Sequence, residues 1–459
     1  MDCTFVIFGA TGDLASLKLI PAIYRIVASN SLDKFLIVGI GRKDVQIEEI
    51  LSKAKKNVHN IDENVWSKLV ASSVYFCFDF QNSQSYVNLD TQLNATEKEK
   101  GLSGNRVFYL ATPSNYFETT TLLMSKSNLA QEVEGKWRRV VYEKPFGSSL
   151  KSAQLLNASI RKVFKESQIY RIDHYLGKEL IGNLNFLRFS NRILEPLWNT
   201  EHISNVQIYL NEEVSVADRG GYYDESGAIK DVVQNHMLQI LALTAMERPQ
   251  TFDSEHIREE KAKVLAHSKI TEVLNGQYKG YLQEKGVREH SKTETFSLLK
   301  LEVNTPRWTS VPFYLKTGKA LQKKETSIYV EFKPTRDLSK QNEFNEPNYL
   351  VIRIQPDEGF SFEINSREPG SNNKHTQVEM DFCHHCLFAI KTQESYEKLL
   401  LDVVKGDQSI FVRDDEIENS WKIIDQMPES KEIYIYEKGS IGPLELKEFE
   451  NKNNVKLRG

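Results

Sequence analysis

Four cysteines in 459 residues, Cys3, Cys77, Cys383 and Cys386, are too few for a disulfide framework, and a chain so poor in thiols suits a reducing compartment. No apolar run approaches the length that spans a bilayer, and residues 1–12 read as a strand without the basic start or small-residue cleavage site of a leader. These absences exclude a membrane partner and point to a cytoplasmic location. An excess of one charge is missing too: 59 Lys and Arg stand against 63 Asp and Glu, a formal net charge of −4. Nothing here calls for a nucleic-acid partner, although a local basic pocket could still hold a small anion. Cys383-His384-His385-Cys386 has the spacing of half a zinc site, but a tetrahedral site needs two matched ligand pairs and this segment supplies one. No metal is expected.

What is present is a change of pattern along the chain. At this length two domains are expected, each able to bury its own core. The first, 1–172, reads as βα units, an α/β Rossmann-type dinucleotide-binding domain. The second, 173–459, reads as an α+β domain with a large, mostly antiparallel sheet.

In the first domain, a β-branched and aromatic strand over 4–8 leads into Gly9-Ala10-Thr11-Gly12-Asp13-Leu14-Ala15 and a helical pattern over 17–27. Gly9 and Gly12 would let backbone N–H groups close on a pyrophosphate at the helix N-terminus. The spacing is one residue longer than G-x-G-x-x-G, and an ordinary tight turn reads the same way. Pro21 removes a backbone donor and is expected to kink the helix. A second strand, 35–40, ends in Gly41-Arg42-Lys43, where an NAD-selective fold carries an acid. Two cations suit the 2′-phosphate of NADP, Arg42 by forked donors and stacking and Lys43 as a point charge; the alternative is a solvated basic loop. Further strands are predicted at 74–79, 106–112, 139–142 and 168–172, helices at 46–56 and 115–125, and a charged surface loop at 94–104.

Two polar segments end predicted strands. In Glu143-Lys144-Pro145-Phe146-Gly147, Lys144 would project from a strand's C-terminal end, where open α/β sheets place ligands. Arg171-Ile172-Asp173-His174-Tyr175-Leu176-Gly177-Lys178-Glu179 gathers an acid, an imidazole, a phenol and an amine, either as a site or as a strand end before a helix beginning near Lys178. Beyond it, alternating strands are predicted at 206–210, 298–303, 327–332, 349–355, 360–364 and 378–382. Asp231 and His236 fall on successive turns of one helix, close enough to face the same cleft but not an acid–base pair by spacing, although a histidine between Asn235 and Met237 could equally be a satisfied core residue. The Lys- and Asn-rich tail after Pro443 is expected to be poorly ordered at its end.

The nonapeptide RIDHYLGKE matches a signature of the glucose-6-phosphate dehydrogenases, and the chain resembles that family along its length. The other matching blocks are GATGDLA at 9–15, EKPFG at 143–147, RGGYYDESGAIKDVVQNHMLQ at 219–239, VPFYLKTGKAL at 311–321, YEKLLLDVVKGDQSIFVR at 396–413 and GSIGP at 439–443. The resemblance implies oxidation of glucose 6-phosphate at C1 to 6-phosphogluconolactone with hydride transfer to NADP, or to NAD, the first step of the oxidative pentose phosphate pathway. It further implies a homodimer or homotetramer. By position it makes His236 the proton acceptor and Asp173 the carboxylate that orients it. His174, Tyr175 and Lys178 would hold the substrate phosphate, Lys144 both sugar and cofactor, and Glu212, Asp231 and Lys319 the sugar hydroxyls, with Lys324 close by. Gly9, Ala10, Thr11, Gly12, Asp13, Leu14 and Arg42 would hold the dinucleotide. Glu212 is taken over Glu213 from its distance ahead of the RGGYYD block. Glu325 stands where mammalian members carry a basic residue beside a second, structural NADP, so that extra site is not expected.

A neutral imidazole is suited to take the C1 hydroxyl proton while hydride departs, and a buried carboxylate can fix its tautomer. This reading requires Lys144, Asp173 and His236, from three distant segments, to share one crevice. Its rivals are a related two-domain dehydrogenase acting on an unphosphorylated sugar or polyol, and a nucleotide sensor without turnover.

Overall fold

Six short strands, β1 (Asp2–Phe8), β2 (Lys34–Gly41), β3 (Ser73–Cys77), β4 (Arg106–Leu110), β5 (Arg138–Tyr142) and β6 (Ile169–Arg171), form one wholly parallel sheet in the order β3-β2-β1-β4-β5-β6. Covered on both faces, they read as near-continuous apolar runs, as in Val-Ile-Phe of β1 and Leu-Ile-Val of β2. The strand order turns back between β1 and β4, the switch point at which open α/β sheets bind ligands. The computed structural model describes residues 1–133, 135–336, 345–370, 375–383, 386, 395–430 and 432–458. The chain divides into two compact units. The sheet belongs to the first, which comprises 1–177, 252–258 and 393–418.

One face of this sheet buries Phe8, Phe78, Phe80, Tyr86 and Phe108. The other buries Ile7 and Ile37 with Ile20 and Ile23, and with Leu399, Leu400 and Val403 of the late helix Ser395–Lys405. Two local expectations change. The helix after the glycine loop starts at Asp13 and is π-helical over Ala15–Leu19 before the α-helix Ile20–Ala28. Pro21 lies in the first turn of that α-helix, so the donor it lacks falls at the junction of the two bonding patterns. The segment expected as a charged loop, 94–104, is helical as far as Glu99, within the helix Ser83–Glu99. Tyr86, Leu89 and Leu93 fix one face of it. Its charges serve the buried Arg106 of β4, which pairs with Glu97 at 2.8 Å and Asp90 at 2.9 Å.

The second unit comprises 178–251, 259–392 and 419–459. Its strands are β7 (Ile203–Asn211), β8 (Ser268–Tyr278), β9 (Phe296–Val303), β10 (Pro312–Gly318), β11 (Glu325–Phe332), β12 (Tyr349–Gln355), β13 (Gly359–Arg367), β14 (His375–Cys383) and β15 (Ile433–Tyr436). They form one sheet in the order β14-β13-β12-β11-β7-β10-β9-β8-β15, antiparallel except where β10 meets β7 and β15 meets β8. β8, β10 and β15 were not among the strands expected from alternation. β8 buries Asn275 and Gln277, and β10 buries Lys316 and Thr317, polar residues that break an apolar pattern.

The tail is also more ordered than its composition suggests. Leu446 and Phe449 of the helix Leu446–Asn453 enter the core, and the Arg458 guanidinium pairs with Glu363 and lies 4.3 Å from the centre of the Tyr349 ring. Cys383 and Cys386 are joined by a disulfide, which the low cysteine count gave no reason to expect; Cys3 and Cys77 are free. His384 and His385 lie outside the described residues. No helix among the described residues is long and apolar enough to cross a membrane.

Candidate active site

The glycine loop follows β1 in the first unit. Gly9 has φ +87°, and a Cβ there would stand 2.7 Å from the carbonyl oxygen of Ala111, so only glycine fits. The N–H groups of Gly9 and Ala10 donate to the Ile40 carbonyl at 2.9 and 3.1 Å, tying the loop to the end of β2. Gly12 and Asp13 are exposed where the helix begins, an arrangement suited to an anion. Beside the loop is a pocket lined by Ala10, Thr11, Ser16, Lys43, Glu49 and Lys53, among others. Lys43 is held there in part by Tyr75, whose hydroxyl donates to the Lys43 carbonyl at 2.6 Å. Arg42 is exposed and does not line this pocket. Lys53 and Ser16 had been assigned no role from sequence. For Lys53 the signal is helical spacing, since Glu49 and Lys53 lie four apart on the helix Ile47–Lys55.

Lys144 follows β5 and precedes Pro145 through a cis peptide bond. Its neighbour Glu143 accepts hydrogen bonds from the hydroxyls of Tyr109 and, at 3.2 Å, Tyr396. Burial pushes the Glu143 carboxyl up, and the two tyrosines and Lys144 oppose that. Just past β6, Asp173 is 3% exposed and accepts the Tyr175 N–H at 3.0 Å, which bends the chain into a short turn. His174 and Tyr175 are neighbours in space as in sequence, their ring centres 4.8 Å apart. Gly177 packs under the helix Ser395–Lys405: a Cβ there would lie 2.9 Å from the Ser395 carbonyl oxygen.

In the second unit, Lys178 is the N-cap of the helix Glu179–Phe189. Asp231 and His236 lie on the segment Ile229–Met237, which is π-helical and not α-helical. Five residues apart, they would point about 140° from each other around an α-helix. Bonding from i to i+5 widens the turn and brings them to the same side. The Asn235 side chain supports this turn, donating to the Lys230 carbonyl at 3.3 Å and accepting the His236 N–H at 2.6 Å. His236 is 2% exposed and Asp231 half-buried. Glu212 and Lys319 form an ion pair, whereas Glu213 is exposed. The Lys319 amine also lies 5.5 Å from the centre of the Tyr223 ring. Burial, with the negative charges of Glu294 and Asp231, the Tyr436 hydroxyl and Glu212, holds the Tyr223 hydroxyl far above its ordinary range. Tyr223 falls within the RGGYYD block, where the sequence gives it no role of its own. Lys324 is exposed just before β11 and takes no part in the Glu212–Lys319 pair.

Two adjoining family models account for nearly the whole chain. Residues 6–183 match the model described as glucose-6-phosphate dehydrogenase, NAD binding domain, and residues 185–458 match the model of the C-terminal domain of the same enzyme. The chain belongs to the glucose-6-phosphate dehydrogenase family. It is 41% identical to the glucose-6-phosphate 1-dehydrogenase of Bacillus subtilis, over 96% of this chain and 95% of the relative. Identity to the Chlamydia pneumoniae glucose-6-phosphate 1-dehydrogenase is 39%, over 96% and 93%. A solved glucose-6-phosphate dehydrogenase, in complex with its substrate glucose-6-phosphate, superposes with a TM-score of 0.92 at 33% identity, covering 100% of this chain and 98% of the other. Within this dehydrogenase family, the six-stranded parallel sheet is the nicotinamide-dinucleotide-binding domain, and the nine-stranded sheet belongs to the C-terminal domain.

Proposed function

We propose that the protein oxidises C1 of glucose 6-phosphate to 6-phosphogluconolactone, with His236 as general base and NADP as the preferred hydride acceptor. The observation that carries this reading is the burial of an acid and an imidazole in two segments that mark the family. Asp173 is 3% and His236 2% exposed, and each stands in a block that marks the family. In this reading Asp173 orients the imidazole and stabilises it once charged, while His236 takes the proton of the C1 hydroxyl. Bound nicotinamide supplies the acceptor for the hydride. His174, Tyr175 and Lys178 hold the 6-phosphate, a remote anchor whose binding energy positions C1. Glu212, Asp231 and Lys319 hold sugar hydroxyls, Lys144 bridges sugar and dinucleotide, and Lys324 lies at the margin.

The dinucleotide fits the first unit. Gly9, at φ +87°, makes the tight turn that passes close beneath Ala111, and the residues after it, Ala10, Thr11, Gly12, Asp13 and Leu14, lead straight into a helix N-terminus. Lys43 and Lys53 in the adjoining pocket, with Arg42 just past the end of β2, favour a nucleotide carrying a further phosphate, hence NADP over NAD. We place the protein in the cytoplasm as a homodimer or homotetramer; the exposed Val378 and Met380 of β14 offer an apolar surface for assembly.

The test is an initial-rate assay of reduced nicotinamide formation with glucose 6-phosphate or free glucose, and with NADP or NAD. Turnover that requires the 6-phosphate and runs better with NADP is expected. Equal rates with free glucose would favour a dehydrogenase for unphosphorylated sugars, and binding without turnover would favour a sensor.

A further inference from the structure

One carboxylate in the second unit takes no part in the chemistry above, yet it holds the peptide that leads into Asp231 and His236. Glu294 lies just ahead of β9. Its Oε1 accepts the Ile229 N–H at 3.0 Å, and its carbonyl oxygen accepts the Ala228 N–H at 3.0 Å. These donors open the π-helix Ile229–Met237, so Glu294 caps the turn that carries both residues. The chain enters that turn through Gly227, at φ 64° and ψ −179°, and a Cβ there would stand 2.3 Å from Glu294 Oε1. Only glycine leaves room for the carboxylate.

The next residue reaches the other half of this unit's site. Lys319 N–H donates to the Thr295 carbonyl at 2.8 Å, and the Tyr436 hydroxyl donates to the carbonyls of Thr295 and Lys319 at 3.1 and 2.7 Å. Glu294 and Thr295 therefore join the start of the Asp231–His236 turn to the backbone of Lys319. Burial lifts the Glu294 carboxyl above its ordinary range, and the Ile229 N–H and Lys230 oppose it.

We propose that Glu294 is a positioning residue that fixes the Asp231–His236 turn relative to Lys319, so that all three address one sugar ring. This rests on the reading in which those three residues meet the substrate. Glu294 touches none of the reacting atoms, and what it supplies is an acceptor at a fixed place. A glutamine, which keeps that acceptor, should therefore substitute for it.

The experiment is steady-state kinetics on the full chain for Glu294→Ala, Glu294→Gln and Glu294→Asp, per folded molecule, with His236→Asn alongside and NADP affinity measured by fluorescence titration. Glu294→Ala is expected to lower kcat/KM for glucose 6-phosphate by roughly 30- to 300-fold, the scale of an ångström's misplacement, with kcat carrying most of the loss. NADP affinity should stay within about twofold, and Glu294→Gln should restore kcat/KM to within about threefold of the parent. A merely structural cap would lower the melting temperature and leave kcat/KM per folded molecule intact, which would overturn the proposal. So would a Gln variant as impaired as the Ala variant. If Glu294→Ala does not accumulate, Gln and Asp decide: Asp, which withdraws the acceptor by one carbon, should be about tenfold down, and equal activities overturn the idea. Undiminished turnover by His236→Asn would instead sink the underlying reading, so the two failures are distinguishable.

Discussion

Glu212 and Lys319 stand one residue beyond the C-terminal ends of β7 and β10, and their side chains form an ion pair. They meet because β10 lies parallel to β7, with Gly318 opposite Asn211, in a sheet that is otherwise largely antiparallel. A parallel pair sets two C-terminal ends side by side, as an antiparallel pair cannot. Removing either partner should weaken glucose 6-phosphate binding: Glu212→Gln and Lys319→Gln are each expected to cost ~1–3 kcal/mol in kcat/KM. A double-mutant cycle checks this, and the double variant should lose less than the sum, since the partners are in contact.

Proton removal is the second prediction. His236→Asn should lower kcat by ~10²–10⁴-fold with little change in glucose 6-phosphate affinity, and Asp173→Asn should lower kcat through the same step. Single-turnover rates with binding titrations check it. Parent-like turnover by His236→Asn would remove the imidazole from its role.

Phosphate recognition is separable from both. Lys178→Ala should weaken glucose 6-phosphate binding by ~1.5–3 kcal/mol and leave NADP affinity much less affected. Calorimetric titration of each ligand decides it, and equal losses for the two would show that Lys178 does not face the phosphate.

Cofactor choice makes a fourth. Lys53→Ala together with Lys43→Ala should reduce the preference for NADP over NAD by ~10-fold or more, chiefly through NADP affinity, since on the proposed reading each amine would give a charged contact to a phosphate. An unchanged ratio of kcat/KM values for the two nucleotides would mean that the pocket beside Thr11 receives another part of the ligand.

The fifth concerns pH. Burial pushes the Asp224 carboxyl up, but hydrogen bonds from Ser291, Arg288 and Tyr281 outweigh it and bring the group down from 3.8 to about 2. A carboxyl whose folded pKa lies below its unfolded one adds stability above the unfolded value and loses it as pH falls through the folded one. Its Arg288 partner is largely exposed, and solvent screens that side of the pair. Asp224→Asn should therefore cost about 1–2 kcal/mol at pH 7, and the gap should close as pH falls from about 4 towards 2. Urea unfolding across that range measures it; a gap independent of pH would contradict the assignment.

The parts of this molecule legible in sequence were those governed by local periodicity. The apolar strands β1, β2 and β4 and the Gly9 turn could be read because a doubly covered strand and a positive-φ glycine leave direct traces. The helix through Asn94 was missed because its charges answer Arg106, a partner outside the window. The common cleft of Asp231 and His236 could be read from their spacing on one helix, but the π-helical widening at Ile229–Met237 that turns them to one side leaves no mark in hydropathy and emerges only with coordinates. Residue roles came from family motifs, whereas Lys53, Tyr223 and Glu294 came from packing.

The helix Ser395–Lys405 and Phe411 belong to the same core as β1 and the helix Ile20–Ala28. The dinucleotide-binding sheet is thus an early product of synthesis that must wait for one of the last segments to seal it. A nascent chain, or a fragment cut near residue 183, would carry an open greasy flank where Leu399, Leu400 and Val403 should sit. Expressed alone, that half should depend on chaperones or on the missing peptide supplied in trans.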